Sequence, residues 1–131
     1  MIRRTEHGAS FSVATIMLAP VLLLCVGLTT DGGRKTEAAR TATSSAQSAA
    51  RGATNAKATS AIAGQNDTAA AYQAANQYLA AAGVTGTVTI EGNTITIKTT
   101  KTTDTVFLGL VGINQLTAHG EATASLEEVR P

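Results

Sequence analysis

Few side chains in this chain can transfer a proton or attack an electrophile, and those few lie far apart. His7 and His119 are its two imidazoles, and Cys25 is its one thiol. A catalytic centre needs a nucleophile, a base and a group that orients them. His7 borders an apolar run, and His119 falls on the outward face of an alternating strand pattern, so both read as solvated surface residues. Cys25 lies inside the apolar run, where a thiol stays protonated and inert and has no second cysteine to pair with. No CxxC, HExxH, phosphate-binding loop or acidic metal cluster is present in the sequence. Gly32-Gly33 before Arg34 reads as a flexible exit from the apolar run rather than a phosphate cradle. Arg34, Lys35, Arg40, Arg51 and Lys57 have no aromatics between them, so they read as an exposed helix face. The expectation is a protein that is not an enzyme, with no cofactor and no metal.

The elements that carry these residues are better defined. The 131 residues leave room for one modest domain beside the apolar run, and much of the 44% hydrophobic content is alanine. Two Phe, two Tyr and no Trp leave few side chains that bury large areas. Ten basic and nine acidic residues nearly cancel, which argues against nucleic acid as a partner.

From Gly8 to Thr30 no side chain is charged apart from the ionisable thiol of Cys25. A helix over that stretch is roughly 35 Å long at 1.5 Å per residue, enough to cross a hydrocarbon core of about 30 Å. The expectation is a basic leader at 1–7 and a transmembrane helix at 8–30, bent at Pro20. Phe11, Pro20, Leu24 and Gly27 are the candidate helix-packing positions within it. A cleaved secretory signal is the rival reading, because Arg3 and Arg4 make a basic start. The run is longer than a signal core, however, and Gly27-Leu28-Thr29-Thr30-Asp31 offers no small-x-small cleavage site. Leu24 also stands where a lipoprotein signal needs a small residue before the cysteine. Basic residues flank the run on both sides. The short amino-terminal tail holds nothing that needs export, so the expected orientation is amino end inside and the carboxy-terminal domain outside.

Residues 31–63 read as an outward continuation of that helix. Ala38, Ala42, Ala46, Ala49, Ala53 and Ala56 fall at spacings of three and four, which draws one stripe of small side chains. Such a stripe lets another backbone come close. Gly52 and the threonines make the helix marginal in isolation, and a spacer with no fixed partner is the alternative. Gly64-Gln65-Asn66-Asp67 breaks the pattern and supplies capping side chains; Asn66-Asp67-Thr68 also matches a glycosylation sequon, with capping the favoured role.

Residues 64–131 are expected to form a small α+β domain. A second helix runs from about Thr68 to Ala82, with Tyr72, Ala75 and Leu79 on one face and Gly83 as its stop. Val84, Val88, Ile90, Ile95 and Ile97 alternate with threonines around Gly92-Asn93. A two-residue turn there pairs Glu91 with Thr94, Ile90 with Ile95, and Val88 with Ile97. The apolar cluster 106–113 is too short to span a bilayer and reads as a helical turn plugging one end of the sheet. A third strand carries Leu116, Ala118, Gly120, Ala122, Ala124 and Leu126 on one face, small enough in its middle to take the alanine stripe closely.

The short basic start, Gly8, the apolar run with Pro20, the exit Leu28-Thr29-Thr30-Asp31-Gly32-Gly33-Arg34 and the alanine-rich helix together resemble the TadE/TadG-like family of tight-adherence (Flp, type IV-related) pilus proteins, in its short single-span form. That resemblance covers about the first 55 residues; "YLAAAGVTGTVTIEGNTITI" and "TVFLGLVGI" are similar to the family's carboxy-terminal parts. It implies a bacterial cytoplasmic-membrane subunit of the cell envelope, handled as a minor pilin, pseudopilin or assembly factor during pilus assembly or secretion. It also implies candidate prepilin cleavage between Gly8 and Ala9. Val13 stands where such proteins usually carry the Glu that pairs with a neighbour's amino terminus. The partners implied are membrane lipid, other pilus or secretion-system subunits and further copies of this chain. A membrane-anchored binding module that never enters a filament is the alternative function.

Overall fold

The computed structural model describes residues 4–127, and it has the expected α+β arrangement. Residues 1–3 of the expected leader lie outside that range. The first element, α1, runs Arg4–Ile62 without interruption and joins the apolar run to the alanine-rich stretch. Pro20 sits inside it and leaves the Ile16 carbonyl without an amide partner, yet the helix continues. Hydroxyls in the apolar half bond back to their own helix: Ser12 Oγ to the Gly8 carbonyl at 2.9 Å, Thr15 Oγ1 to Phe11 at 2.9 Å and Thr29 Oγ1 to Cys25 at 2.8 Å. These bonds remove the cost of unpaired donors in an apolar surrounding. Gly32-Gly33 is helical as well, so the exit expected to be a break is continuous helix. Gly64 at φ 71° ends the run, and the Gln65 amide folds back onto the Ser60 carbonyl at 2.9 Å.

The second helix, α2, spans Asp67–Ala82. Asn66 caps its start, accepting from the Ala69 amide at 3.1 Å, and Gly83 closes it in the left-handed region at φ 68°. Its buried face is Ala71, Ala75 and Leu79. Tyr72, expected on that face, is exposed. The many alanines of α2 leave its phase open in the sequence, and the tight contact with α1 takes the small Ala71 instead.

Three antiparallel strands follow in the order β1 (Thr85–Glu91), β2 (Thr94–Asp104) and β3 (Gln115–Ser125). The β1–β2 register pairs Glu91 with Thr94, Ile90 with Ile95 and Val88 with Ile97. Gly92 has φ 58°, as the first central residue of a two-residue hairpin requires. Strand β2 is longer than its aliphatic pattern shows: Lys98–Asp104 pair with β3 from Glu121 back to Gln115.

One face of the sheet is roofed by α1, and the core lies between them. Ile95 and Ile97 of β2 are fully buried against Ala46, Ala49, Ala50 and Ala53 of α1, with Ala71, Ala75, Leu79 and Val84 closing the side. Full burial of an aliphatic of that size stabilises by roughly 1.5–3 kcal/mol, and alanine by less, so this core depends on close approach rather than area. Gly120 of β3 provides that approach: a Cβ built there stands 2.5 Å from the Ala42 carbonyl carbon and the Thr43 nitrogen. The helix backbone therefore rests directly on the strand. Beside it the buried Thr99 hydroxyl donates to the Ala42 carbonyl at 2.6 Å. Threonines Thr87, Thr89 and Thr117 occupy the open face.

Candidate functional site

Two features of α1 are candidates for function: its bare apolar rod and the joint where that rod meets the folded domain. The rod is long and apolar enough to cross a membrane. Phe11 is 75% exposed and Leu24 66% exposed, and Val13, Ile16, Leu22 and Leu28 are exposed with them. Gly8 and Ala9, the candidate cleavage pair, lie exposed inside the helix. Cys25 is exposed on the rod. Of the four packing positions expected there, the structure places one in a close contact and two at its edge. The Phe107 side chain covers Gly27, where a Cβ would stand 2.7 Å from the Phe107 Cβ. Pro20 and Leu24 line an apolar groove beside that contact. Phe11 has no such role and stays exposed.

The joint is built by the exit residues. Asp31 is fully buried, at 0% exposure. Its Oδ1 accepts from the Val106 amide at 2.8 Å, and its Oδ2 accepts from the Phe107 and Leu108 amides at 3.0 and 2.7 Å. These are the amides at the start of the 3-10 turn Leu108–Val111, whose own N-terminus has no side-chain cap. A carboxylate there satisfies donors the turn cannot use and complements their partial positive charge. The Val106 amide lowers the Asp31 carboxyl pKa most, burial opposes it, and the Leu108 and Phe107 amides and the Arg34 charge add to the lowering. The net position is below the ordinary carboxylate value, so Asp31 is an anion at neutral pH. One turn further on, Arg34 donates to the Asp104 carbonyl at 3.2 Å. Gly32 and Gly33 face open space, with nothing within 4 Å of a built Cβ.

The buried stripe of α1 therefore starts at Gly27 and Asp31 and runs through Ala38, Ala42, Ala46, Ala49 and Ala53. Ala56, expected to continue it, is half-buried, because the stripe passes to its neighbour Lys57. Lys57, expected on the exposed basic face, is buried and donates to the Gly92 carbonyl of the hairpin turn. Its long stem covers apolar surface while the ammonium finds a backbone acceptor. Arg34, Lys35, Arg40 and Arg51 are exposed as expected. Gly52, which weakens an isolated helix, has a packing reason, since the Tyr78 ring lies on it.

The cluster 106–113 departs most from expectation. It does not plug the sheet: its 3-10 turn contains no buried residue, and Leu110 is 85% exposed. It lies alongside the rod instead. His119 is exposed on β3, 3.3 Å from the Thr100 hydroxyl. Among the described residues no three His, Cys, Asp or Glu side chains gather into a group able to hold a metal ion. The arrangement can bind apolar surface, and it ties the rod to the head through a continuous helix and the Asp31 and Phe107 contacts. The chain matches no family model, no curated protein and no solved structure.

Proposed function

We propose that this chain is a single-span membrane protein that acts as a minor pilin, pseudopilin or assembly factor of a Tad/Flp-type pilus, through helix packing rather than catalysis. The observation that supports this reading is the single helix α1, bare and apolar over its first half and roofed by a sheet over its second. Within a bilayer, lipid covers the exposed rod; outside it, neighbouring rods must do so, and a filament core provides them. Helix α1 passes through Gly32-Gly33 without a break, so rod and head share one backbone element, as a subunit of an ordered assembly needs. In this reading the chain resides in the bacterial cytoplasmic membrane, amino end inside and head outside, with lipid, other pilus or secretion-system subunits and further copies of itself as partners.

Val13, in place of the Glu that pilin-like subunits usually carry, favours a second reading, an anchored envelope module that never enters a filament. Mass spectrometry of pili sheared from the cell surface separates the two. Recovery of this chain with the filament is the expected result, and its absence from clean filaments, with the chain retained in the membrane, overturns incorporation.

A further inference from the structure

The chain between β2 and β3, residues 105–114, carries no charged side chain. Val106, Leu110, Val111 and Ile113 are exposed, and Leu110 and Val111 line a groove shared with the helix. We propose that this loop is a second membrane contact, seated in the interfacial layer of the leaflet from which the spanning helix emerges.

Three observations carry the proposal. The first is depth. Phe107 packs on Gly27, and a groove of about 420 Å³ separates Leu108 and Val111 of the loop from Pro20, Leu24 and Leu28 of the helix. Leu24 lies six residues before the last uncharged position, Thr30, which is about 9 Å along the axis at 1.5 Å per residue. The Gly8–Thr30 run exceeds a hydrocarbon core of about 30 Å by only a few ångströms, so a bilayer that covers the rod also reaches the loop.

The second is backbone accounting. A loop enters the apolar layer only when its polar groups are satisfied internally. The amides of Val106, Phe107 and Leu108 go to Asp31. Those of Leu110, Gly112 and Ile113 go to the carbonyls of Phe107, Gly109 and Leu108, and that of Thr105 goes to Asn114. The Thr105 hydroxyl is used as well, donating to the Ile113 carbonyl at 2.5 Å. Asp31 thus serves three amides that would otherwise depend on water, which the apolar layer does not supply.

The third is the polar border. Asp31, Arg34, Asp104, Asn114 and Gln115 stand where the apolar surfaces of helix and loop both end, the level at which headgroups begin. The apolar tip and the rod thus form one continuous surface, and lipid is the occupant it fits.

The proposal rests on the membrane-anchor part of the function proposed above and not on the pilus. Its test uses the full chain with Cys25→Ser, reconstituted in phosphatidylcholine vesicles and labelled with the environment-sensitive fluorophore NBD at one new cysteine. Leu110→Cys reports the loop, Leu18→Cys reports the middle of the span, and Gln73→Cys on α2 reports the aqueous head; all three positions are exposed, so the labels leave the core intact. The expected result is a blue-shifted signal at 110, quenched more by a nitroxide high on the lipid acyl chain than by one near its end, and shielded from iodide. Position 18 is expected to show the opposite nitroxide order and position 73 full iodide quenching. If 110 behaves like 73 while 18 stays in lipid, the loop contact is overturned and the anchor stands. If iodide reaches 18, both fall. If 110 is shielded from iodide and lipid nitroxides alike, protein covers the loop and the proposal is also overturned.

Discussion

Replacing Gly120 by alanine is expected to damage this fold out of proportion to one methyl group. The added Cβ would sit 2.5 Å from the Ala42 carbonyl carbon and the Thr43 nitrogen, and 2.7 Å from the Ala42 oxygen. Relaxed contacts between such atoms are roughly 3.5–4.0 Å, so helix and strand must separate by about 1 Å. Both obstacles are backbone, and no rotamer change relieves them. That retreat would stretch the Thr99-to-Ala42 hydrogen bond from 2.6 Å to beyond bonding range. Overpacking costs about 1–3 kcal/mol and the lost buried bond about 1 kcal/mol more, a total of roughly 2–4 kcal/mol. For a head of this size each kcal/mol moves Tm by about 4–8 °C, so a fall of roughly 8–32 °C is expected. Circular dichroism melting of the full chain in detergent, followed in the strand region, reads it. Thr99→Val provides the internal check: it should cost about 1 kcal/mol alone and clearly less beside Gly120→Ala, because the bond is already broken. A wild-type melting temperature for Gly120→Ala, or full additivity of the pair, would refute the direct helix-on-strand contact.

Three further perturbations separate other parts of the account. Gly52→Ala is expected to be near neutral although its Cβ would come closer still, 2.2 Å from Tyr78 Cε2, because that half-exposed ring swings aside and the helix gains about 1 kcal/mol of propensity; a loss like that of Gly120→Ala in the same melting assay would contradict this. Gly32→Ala with Gly33→Ala should raise helix stability by about 1–2 kcal/mol in isolated protein, since both face open space, and a lower Tm in detergent would argue against the continuous helix. Asp31 sets a pH dependence: its folded pKa lies below the ordinary value, so the loop attachment is complete above about pH 4 and is lost as pH falls toward the folded value. A fluorophore at residue 110 should report that release on acidification, and Asp31→Asn should weaken the attachment at every pH; an equally firm loop in Asp31→Asn would remove the carboxylate from the account.

What the sequence makes legible here follows from how far apart the cooperating residues are. The hairpin register is local, since Gly92-Asn93 fixes the pairing and the alternation of Ile90, Ile95 and Ile97 fixes the face. The caps Asn66 and Gly83 and the small inner face of β3 are equally local. Lys98–Asp104 carries no aliphatic residue, and its strand is set by pairing with β3; the β-branched threonines at 99, 100, 102 and 103 are the signal that marks it. Tyr72 and Ala56 are misplaced for one reason: in an alanine-rich helix many phases look alike, and only the opposing element chooses. Asp31 and the amides of 106–108 are some 75 residues apart in the chain. The one local hint of their union is an acidic residue within a helix directly after an apolar run, where propensity alone does not favour it.

In the function proposed above, the apolar rod stays part of the working protein, continuous with the head. Intact-mass measurement of the chain purified from the membrane fraction of its own cells tests it most directly. The expected mass includes residues 9–30, whether or not cleavage occurs after Gly8. A water-soluble form in the culture fluid whose mass begins beyond Thr30 would contradict it.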